Sequence, residues 1–397
     1  MLMARRVALA LATLLLCVRV ANSQENPALN VDRDRVLGFD MRKMAIGPFH
    51  SDVTGHPTGV VWSQPVITPL KVDRIRVHVL ISQPHTHGDW RLIFKDLSGI
   101  AKDTIDHDSA RAKLSDTWSN DIDGSGATVE LSTDSSLSNL EITIDAYAFP
   151  VQPTYPQAIW GTDDRRPISG VSDTIQQWGR PVARLRIMMI QGEALCTGFL
   201  LSDDLLLTNQ HCIKNQSEAL STTADFGYDD TGDSPDSYKT NPLSDHNLEL
   251  TNASGSGLDY ALVRLLGNPG HKYGHAVLSL PGQQFALPVS TSLVVIEHAG
   301  GRPKQVSIKD CEVSDSEVVG IEQNQKTDFG HHCDTLGGAS GSPVFDFGTG
   351  KVVGLHHMGF KANTTVIENQ GIYITLILKD IQGQSQSIYN EIMTQTH

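Results

Sequence analysis

The sequence predicts an all-β fold in two successive units: a small β-sandwich-like domain, then a larger β domain that ends in a helix. Three observations carry this expectation. Apolar and polar residues alternate with the period of two that a half-buried strand requires, most clearly in Val72-Asp73-Arg74-Ile75-Arg76-Val77-His78-Val79-Leu80. No comparable helical period appears before the C-terminal tail. Three prolines between Pro150 and Pro156 mark a linker in a 397-residue chain whose length suits two domains.

The elements follow in chain order. Residues 1–23 read as a secretory signal: Arg5 and Arg6 form a positive end, residues 7–18 are apolar but short for a bilayer, and Ala21-Asn22-Ser23 suits cleavage after Ser23. Residues 24–157 form the β-rich N-terminal domain, with strands expected at 72–80, 90–94, 127–131 and 140–147 and turns at 121–126. Residues 158–397 form the second domain, with strands expected at 182–189, 195–201, 205–208, 260–265, 293–297 and 352–355. A single helix is expected over 377–392.

Composition narrows the function. A hydrophobic content of 39% supports a real core. The net charge is −14, and losing Arg5, Arg6 and Arg19 with the signal takes it to −17, which opposes binding to a phosphate backbone. No later stretch is long and apolar enough to span a membrane. Cys17 leaves with the signal; Cys196, Cys212, Cys311 and Cys333 remain, and an even number in an exported chain suggests two disulfides with three possible pairings. No CxxC pair points to zinc. Sequons stand at Asn215, Asn252 and Asn363. Acidic loops such as 229–236 and the histidines His85 and His87 are read as solvated surface before metal ligands, and no cofactor is expected.

Three segments carry chemistry. Gly338-Ala339-Ser340-Gly341-Ser342-Pro343 puts a serine between small residues, which suits a nucleophile on a tight turn with backbone N–H groups close by. Thr208-Asn209-Gln210-His211-Cys212 follows an apolar run, and Leu258-Asp259-Tyr260-Ala261-Leu262-Val263 opens another. A serine hydroxyl needs a base within hydrogen-bond reach, and that base needs an orienting carboxylate. The order is His, Asp, Ser.

These segments, with Cys196-Thr197-Gly198-Phe199-Leu200-Leu201 ahead of the histidine, resemble the chymotrypsin superfamily over about residues 158–397. The resemblance implies a double six-stranded Greek-key β-barrel and a serine endopeptidase acting on proteins or peptides. Ser340 would attack, His211 would relay the proton, Asp259 would orient the imidazole, and the N–H groups of Gly338 and Ser340 would bind the oxyanion. It also implies a Cys196–Cys212 bridge beside the histidine. The nearness of Cys333 to the serine makes Cys311–Cys333 the expected loop clamp, worth about 3 kcal/mol.

Ala339 precedes the serine where trypsins carry an aspartate, so the activation salt bridge of those enzymes is unavailable. The glutamyl-endopeptidase branch also lacks that aspartate, and Ala158-Ile159-Trp160-Gly161-Thr162-Asp163-Asp164-Arg165 resembles the start of its mature enzymes. Two readings of the primary specificity pocket stay open. Thr335 and His356 match that branch's glutamate-binding positions, with a freed α-amino group at Ala158 as a third element. Asp334 lies at the offset where trypsins hold their basic-specificity aspartate. The acidic preference is favoured. His331 and His332 are read as cleft lining, and His357 as a possible neighbour of the triad. Trp90, Trp118 and Tyr147 are assigned to a core. The N-terminal domain is expected to be an inhibitory propeptide, with a retained binding module as the alternative. The rival for the whole chain is a non-catalytic binding protein on a protease scaffold.

Overall fold

The computed structural model describes residues 36–395 apart from 38, 54–57, 84–87, 151–156, 190–191, 242–247, 253–257, 281–285, 321–324 and 363–364. The expected signal, His85 and His87, Asn363 and most of the proline-rich linker lie outside the described residues.

The N-terminal unit is the expected sandwich. One sheet orders Phe39–Val53, Leu137–Pro150, Arg74–Ser82 and Asp116–Trp118, with Ile122–Asp123 also paired to Arg74–Ser82. The facing sheet orders Gly59–Ile67, Gly126–Thr133, Trp90–Asp96 and Ala101–Asp106. Alternation explains the packing: Val77 and Val79 from one sheet, and Leu92, Phe94, Val129 and Leu131 from the other, meet in one buried cluster. Trp90 lies in that core and Tyr147 packs against it. Trp118 instead joins a small apolar patch with Ala146, Ala148 and Met188, the last of which belongs to the second unit.

The second unit contains two antiparallel barrels. In the first, Asp236–Lys239, Thr222–Phe226, Val182–Met189, Gly192–Leu200, Leu205–Thr208 and Tyr260–Arg264 pair in that order, and a bridge between Thr240 and Leu265 closes the ring. In the second, Leu293–Glu297, Pro343–Asp346, Val352–Ala362, Thr365–Tyr373, Lys326–His331 and Val313–Val319 pair in order, closed by a bridge between Ser292 and Glu312. The six-stranded double barrel is therefore as expected. Short strands add to it, and one comes from ahead of the sandwich: Val36–Leu37 pairs with Leu195 and Ala194.

Each barrel has its own apolar filling, Leu185, Leu206 and Phe226 in one and Val295, Phe329 and Val344 in the other. A third cluster, including Phe199, Leu207, Val294 and Leu355, lies against the C-terminal helices. The single expected helix is two, Ile374–Gln384 and Gln386–Gln395. Ser385 between them is extended (φ −149°, ψ 101°), and its hydroxyl accepts the Ile388 N–H at 3.4 Å, the position of an N-cap. The first helix buries Ile374, Ile377, Leu378 and Ile381, a spacing of three and four residues that makes one apolar stripe.

A buried set of charges joins the two units. Arg76 Nε donates to Asp121 at 2.6 Å, and Arg186 of the first barrel also donates to Asp121. Arg186 Nε reaches Asp225 at 2.8 Å, and Arg76 lies 3.4 Å from Glu193. Burial pushes the Glu193 carboxyl up, against the pull of Arg76 and Arg186. Asp225 goes the other way: burial opposes its charge, but Arg186 and Arg184 outweigh it and bring it down to about 2.

Candidate active site

His211 follows the strand Leu205–Thr208 in a turn, and the Cys196–Cys212 disulfide ties that turn to the neighbouring strand. The second bridge is Cys311–Cys333. Both pairings agree with the expectation. Asp259 stands immediately before the strand Tyr260–Arg264 with φ of +35°, a conformation that a short polar residue tolerates better than a branched one. Its carbonyl accepts from Gln210 N–H at 3.1 Å and Asn209 Nδ2 at 3.0 Å. Its carboxylate accepts the His211 backbone N–H at 2.9 Å and Nδ1–H at 2.7 Å, which leaves Nε2 as the base. Burial opposes the Asp259 charge, yet His211 and the nearby His357 imidazole, Nδ1 3.4 Å from Oδ2, hold its carboxyl well below the usual carboxylate range.

Ser340 is framed by Gly338 (φ +97°) and Gly341 (φ +87°). A Cβ at Gly341 would collide with the Thr197 carbonyl, so the turn needs glycine there. The Ser340 carbonyl accepts the Thr197 N–H at 2.9 Å and lies 3.9 Å from Cys212 Sγ, the residue after His211. The backbone thus carries Ser340 to the histidine turn. Within the serine turn, the N–H groups of Ala339, Gly341 and Ser342 bond to the carbonyls of Leu336, His356 and Ala339, each at 2.9 Å.

The pocket candidates also converge. Gln157–Ala158 pairs with Thr335–Leu336, placing Ala158 opposite Thr335, and both are fully buried. Asn369 links them: its Nδ2 donates to the carbonyls of Ala158 (2.9 Å) and Cys333 (2.6 Å), and its Oδ1 accepts from Thr335 Oγ1 at 3.2 Å. His356 is buried with Nδ1 3.2 Å from His331 Nε2. His332 stacks on Trp160 with ring centroids 3.8 Å apart. Asp334 is committed elsewhere. Its two oxygens accept the backbone N–H groups of Trp160 (2.8 Å) and Asp164 (3.1 Å). Burial pushes its carboxyl up to about 6, with those two N–H groups pulling the other way.

Residues 196–355 match the family model of the trypsin-like peptidase domain. Secreted RxLR effector protein 73 of Plasmopara viticola is 30% identical over 230 residues, covering 53% of each chain. Uncharacterized protein y4fB of Sinorhizobium fredii is 27% identical over 190 residues, covering 45% of this chain and 28% of that one. The chain therefore spans about half or less of these relatives' lengths. Among solved structures, the Rv3671c protease of M. tuberculosis in its active form aligns with a TM-score of 0.40 and 16% identity, over 59% of this chain and 92% of that one. A Glu endopeptidase aligns with a TM-score of 0.40 and 21% identity, over 58% and 99%.

The candidate site also involves residues that the sequence pattern did not single out. Thr197 Oγ1 donates to the Gly338 carbonyl at 2.8 Å and accepts the His298 N–H at 3.0 Å, so one hydroxyl joins the histidine-side strand to the serine loop. Asn369 sits in Thr365–Tyr373, a strand with no motif. Asp328 receives His357 at 2.8 Å behind Asp259. Among the described residues no group of three or more His, Cys, Asp or Glu side chains could hold a metal ion. Asp229 of the acidic loop pairs with Lys304, and Asp236 with Lys272. No described helix is long and apolar enough to cross a membrane.

Proposed function

We propose that the protein is a secreted serine endopeptidase that uses Ser340, His211 and Asp259. Ser340 Oγ attacks the scissile carbonyl while His211 Nε2 takes its proton. The proton then passes to the leaving amine as the C–N bond breaks, and water hydrolyses the acyl-enzyme by the reverse relay. The observation that carries this is the His211–Asp259 pair, held through both a backbone and a ring N–H, beside a glycine-framed serine. The oxyanion role is assigned to the N–H groups of Gly338 and Ser340, on the resemblance of the serine segment. Export is supported by the signal-like first residues, the two disulfides and a relative named as secreted. A fluorophosphonate probe is expected to label the processed protein once, with the adduct on the peptide containing Ser340. Absence of labelling in folded, processed protein would favour the non-catalytic scaffold.

For specificity we favour cleavage after Glu. His356 and the segment beginning at Ala158 offer donors to a carboxylate beside Thr335, whose hydroxyl is held by Asn369 Oδ1, and cleavage behind Gln157 would add an ammonium where Ala158 faces Thr335. Lys or Arg specificity would need the Asp334 charge, whose oxygens already serve two backbone N–H groups. In a peptide panel differing only before the cut, kcat/KM for Glu is expected to exceed that for Lys by about tenfold or more, about 1.4 kcal/mol. Faster cleavage after Lys would reverse the assignment. The sandwich is read as a propeptide docked on the first barrel, and a secreted mature species starting at Ala158 is the mass-spectrometric signature expected.

A further inference from the structure

We propose that His357 and Asp328 are positioning residues of the hydrolysis, completing a buried line Asp328–His357–Asp259–His211 behind the nucleophile. The inference rests on the triad reading above. His357 is the extra residue of a β-bulge: in the pairing of Val352–Ala362 with Thr365–Tyr373, His356 faces Gly371 and Met358 faces Gln370, leaving His357 unpaired between them. Bulges re-aim side chains, and this one puts two consecutive histidines to two tasks. His356 goes to His331 on the pocket side. His357 goes to Asp259, with Nδ1 3.4 Å from Oδ2, and to Asp328, with Nε2 2.8 Å from Oδ2. Asp328 is itself fixed, because Thr327 Oγ1 donates to its Oδ1 at 2.8 Å. His357 and Asp328 are both fully buried.

The charges explain the arrangement. Burial alone would neutralise His357, but Asp328 and Asp259 outweigh it and push the imidazole up to about 9. The other titratable groups nearby leave this intact. His331 is held well below its ordinary value, first by burial and then by neighbouring histidines, and so is neutral. His211 and His357 both face Asp259 Oδ2. The residues facing the bulge, Gly371 and Gln370, do not ionise. The cationic His357 lies between carboxyl oxygens of Asp259 and Asp328. His357 also holds the Asp259 oxygen that accepts from His211.

The sign of the pH effect follows. His357 is cationic below its folded value, so the positioning is complete at and below neutrality and is lost as pH rises through about 9. The test compares wild type, His357→Gln and Asp328→Asn, each processed and checked for folding. Both variants are expected to lose about 10²-fold in kcat with KM within about twofold. Asp328→Asn should move the alkaline limb of the kcat–pH profile to lower pH, and His357→Gln should abolish the limb assigned to this group. A folded variant with wild-type kcat and pH profile overturns the proposal. If a variant does not fold, nitrogen-15 NMR of the wild-type His357 ring decides: both ring nitrogens protonated at pH 7 supports it, and a neutral ring overturns it. Ser340→Ala separates the levels. Loss of turnover in that variant with wild-type behaviour in the other two sinks only this inference, whereas turnover retained in Ser340→Ala sinks the triad itself.

Discussion

Ser340→Ala is expected to reduce kcat by about 10⁶-fold, the scale on which removing the nucleophile of a catalytic triad acts. The variant should keep its fold. What the turn needs from position 340 is backbone: its carbonyl accepts the Thr197 N–H, and glycines on either side supply the positive φ values. Alanine meets both requirements. Peptide turnover by the purified variant, with thermal unfolding as the control, makes the comparison. Turnover above about a hundredth of wild type would show that another group attacks. The number should be read with the variant fully processed, because an unprocessed chain would be silent for a different reason.

Arg186→Met is expected to destabilise the protein by about 3–5 kcal/mol, the usual cost of removing one partner from a buried ionic set. Arg186 is 5% exposed and donates to Asp225 and Asp121 from the centre of the contact between sandwich and first barrel. Methionine fills part of the volume but leaves those carboxylates short of a cation. Thermal unfolding of the full chain reads the loss. The pH dependence provides a second check. Asp225 has a folded value of about 2 against an ordinary 3.8, so its contribution is present above about pH 4 and lost as pH falls towards 2. Without Arg186 its folded value rises, and acid unfolding should begin at a higher pH than in wild type. An unchanged acid limb together with unchanged thermal stability would show that Arg184 alone suffices.

Much of the candidate site was legible because it is written in local patterns. A serine between glycines, a histidine next to a cysteine and an aspartate opening an apolar strand each keep their character without knowledge of the fold. The strand at 182–189 was read to the residue, an apolar run that is buried along most of its length. What escaped depends on distant partners. Asp334 looks like a specificity residue by offset, but its partners Trp160 and Asp164 lie 174 and 170 residues away. Asp328 matters only because a bulge turns His357 towards it. The break at Ser385 is a capping event inside a continuous apolar period, so periodicity alone ran through it. Trp118, assigned to a core, is buried in a small cluster that includes Met188 of the second unit, and sequence alone does not tell which cluster an apolar residue joins.

The pairing of Val36–Leu37 with Gly192–Leu200, the strand whose Cys196 is bridged to Cys212 beside His211, has a mechanical meaning. The polypeptide grips the first barrel twice, once through this short ribbon and once through the charged contact around Asp121, before it reaches Ala158. Severing the backbone ahead of Ala158 would therefore change connectivity without diluting the fragments, since each grip keeps the other at high effective concentration. Departure of the leading fragment would then be a separate and slower event than the cut, with its own dependence on salt and acidity.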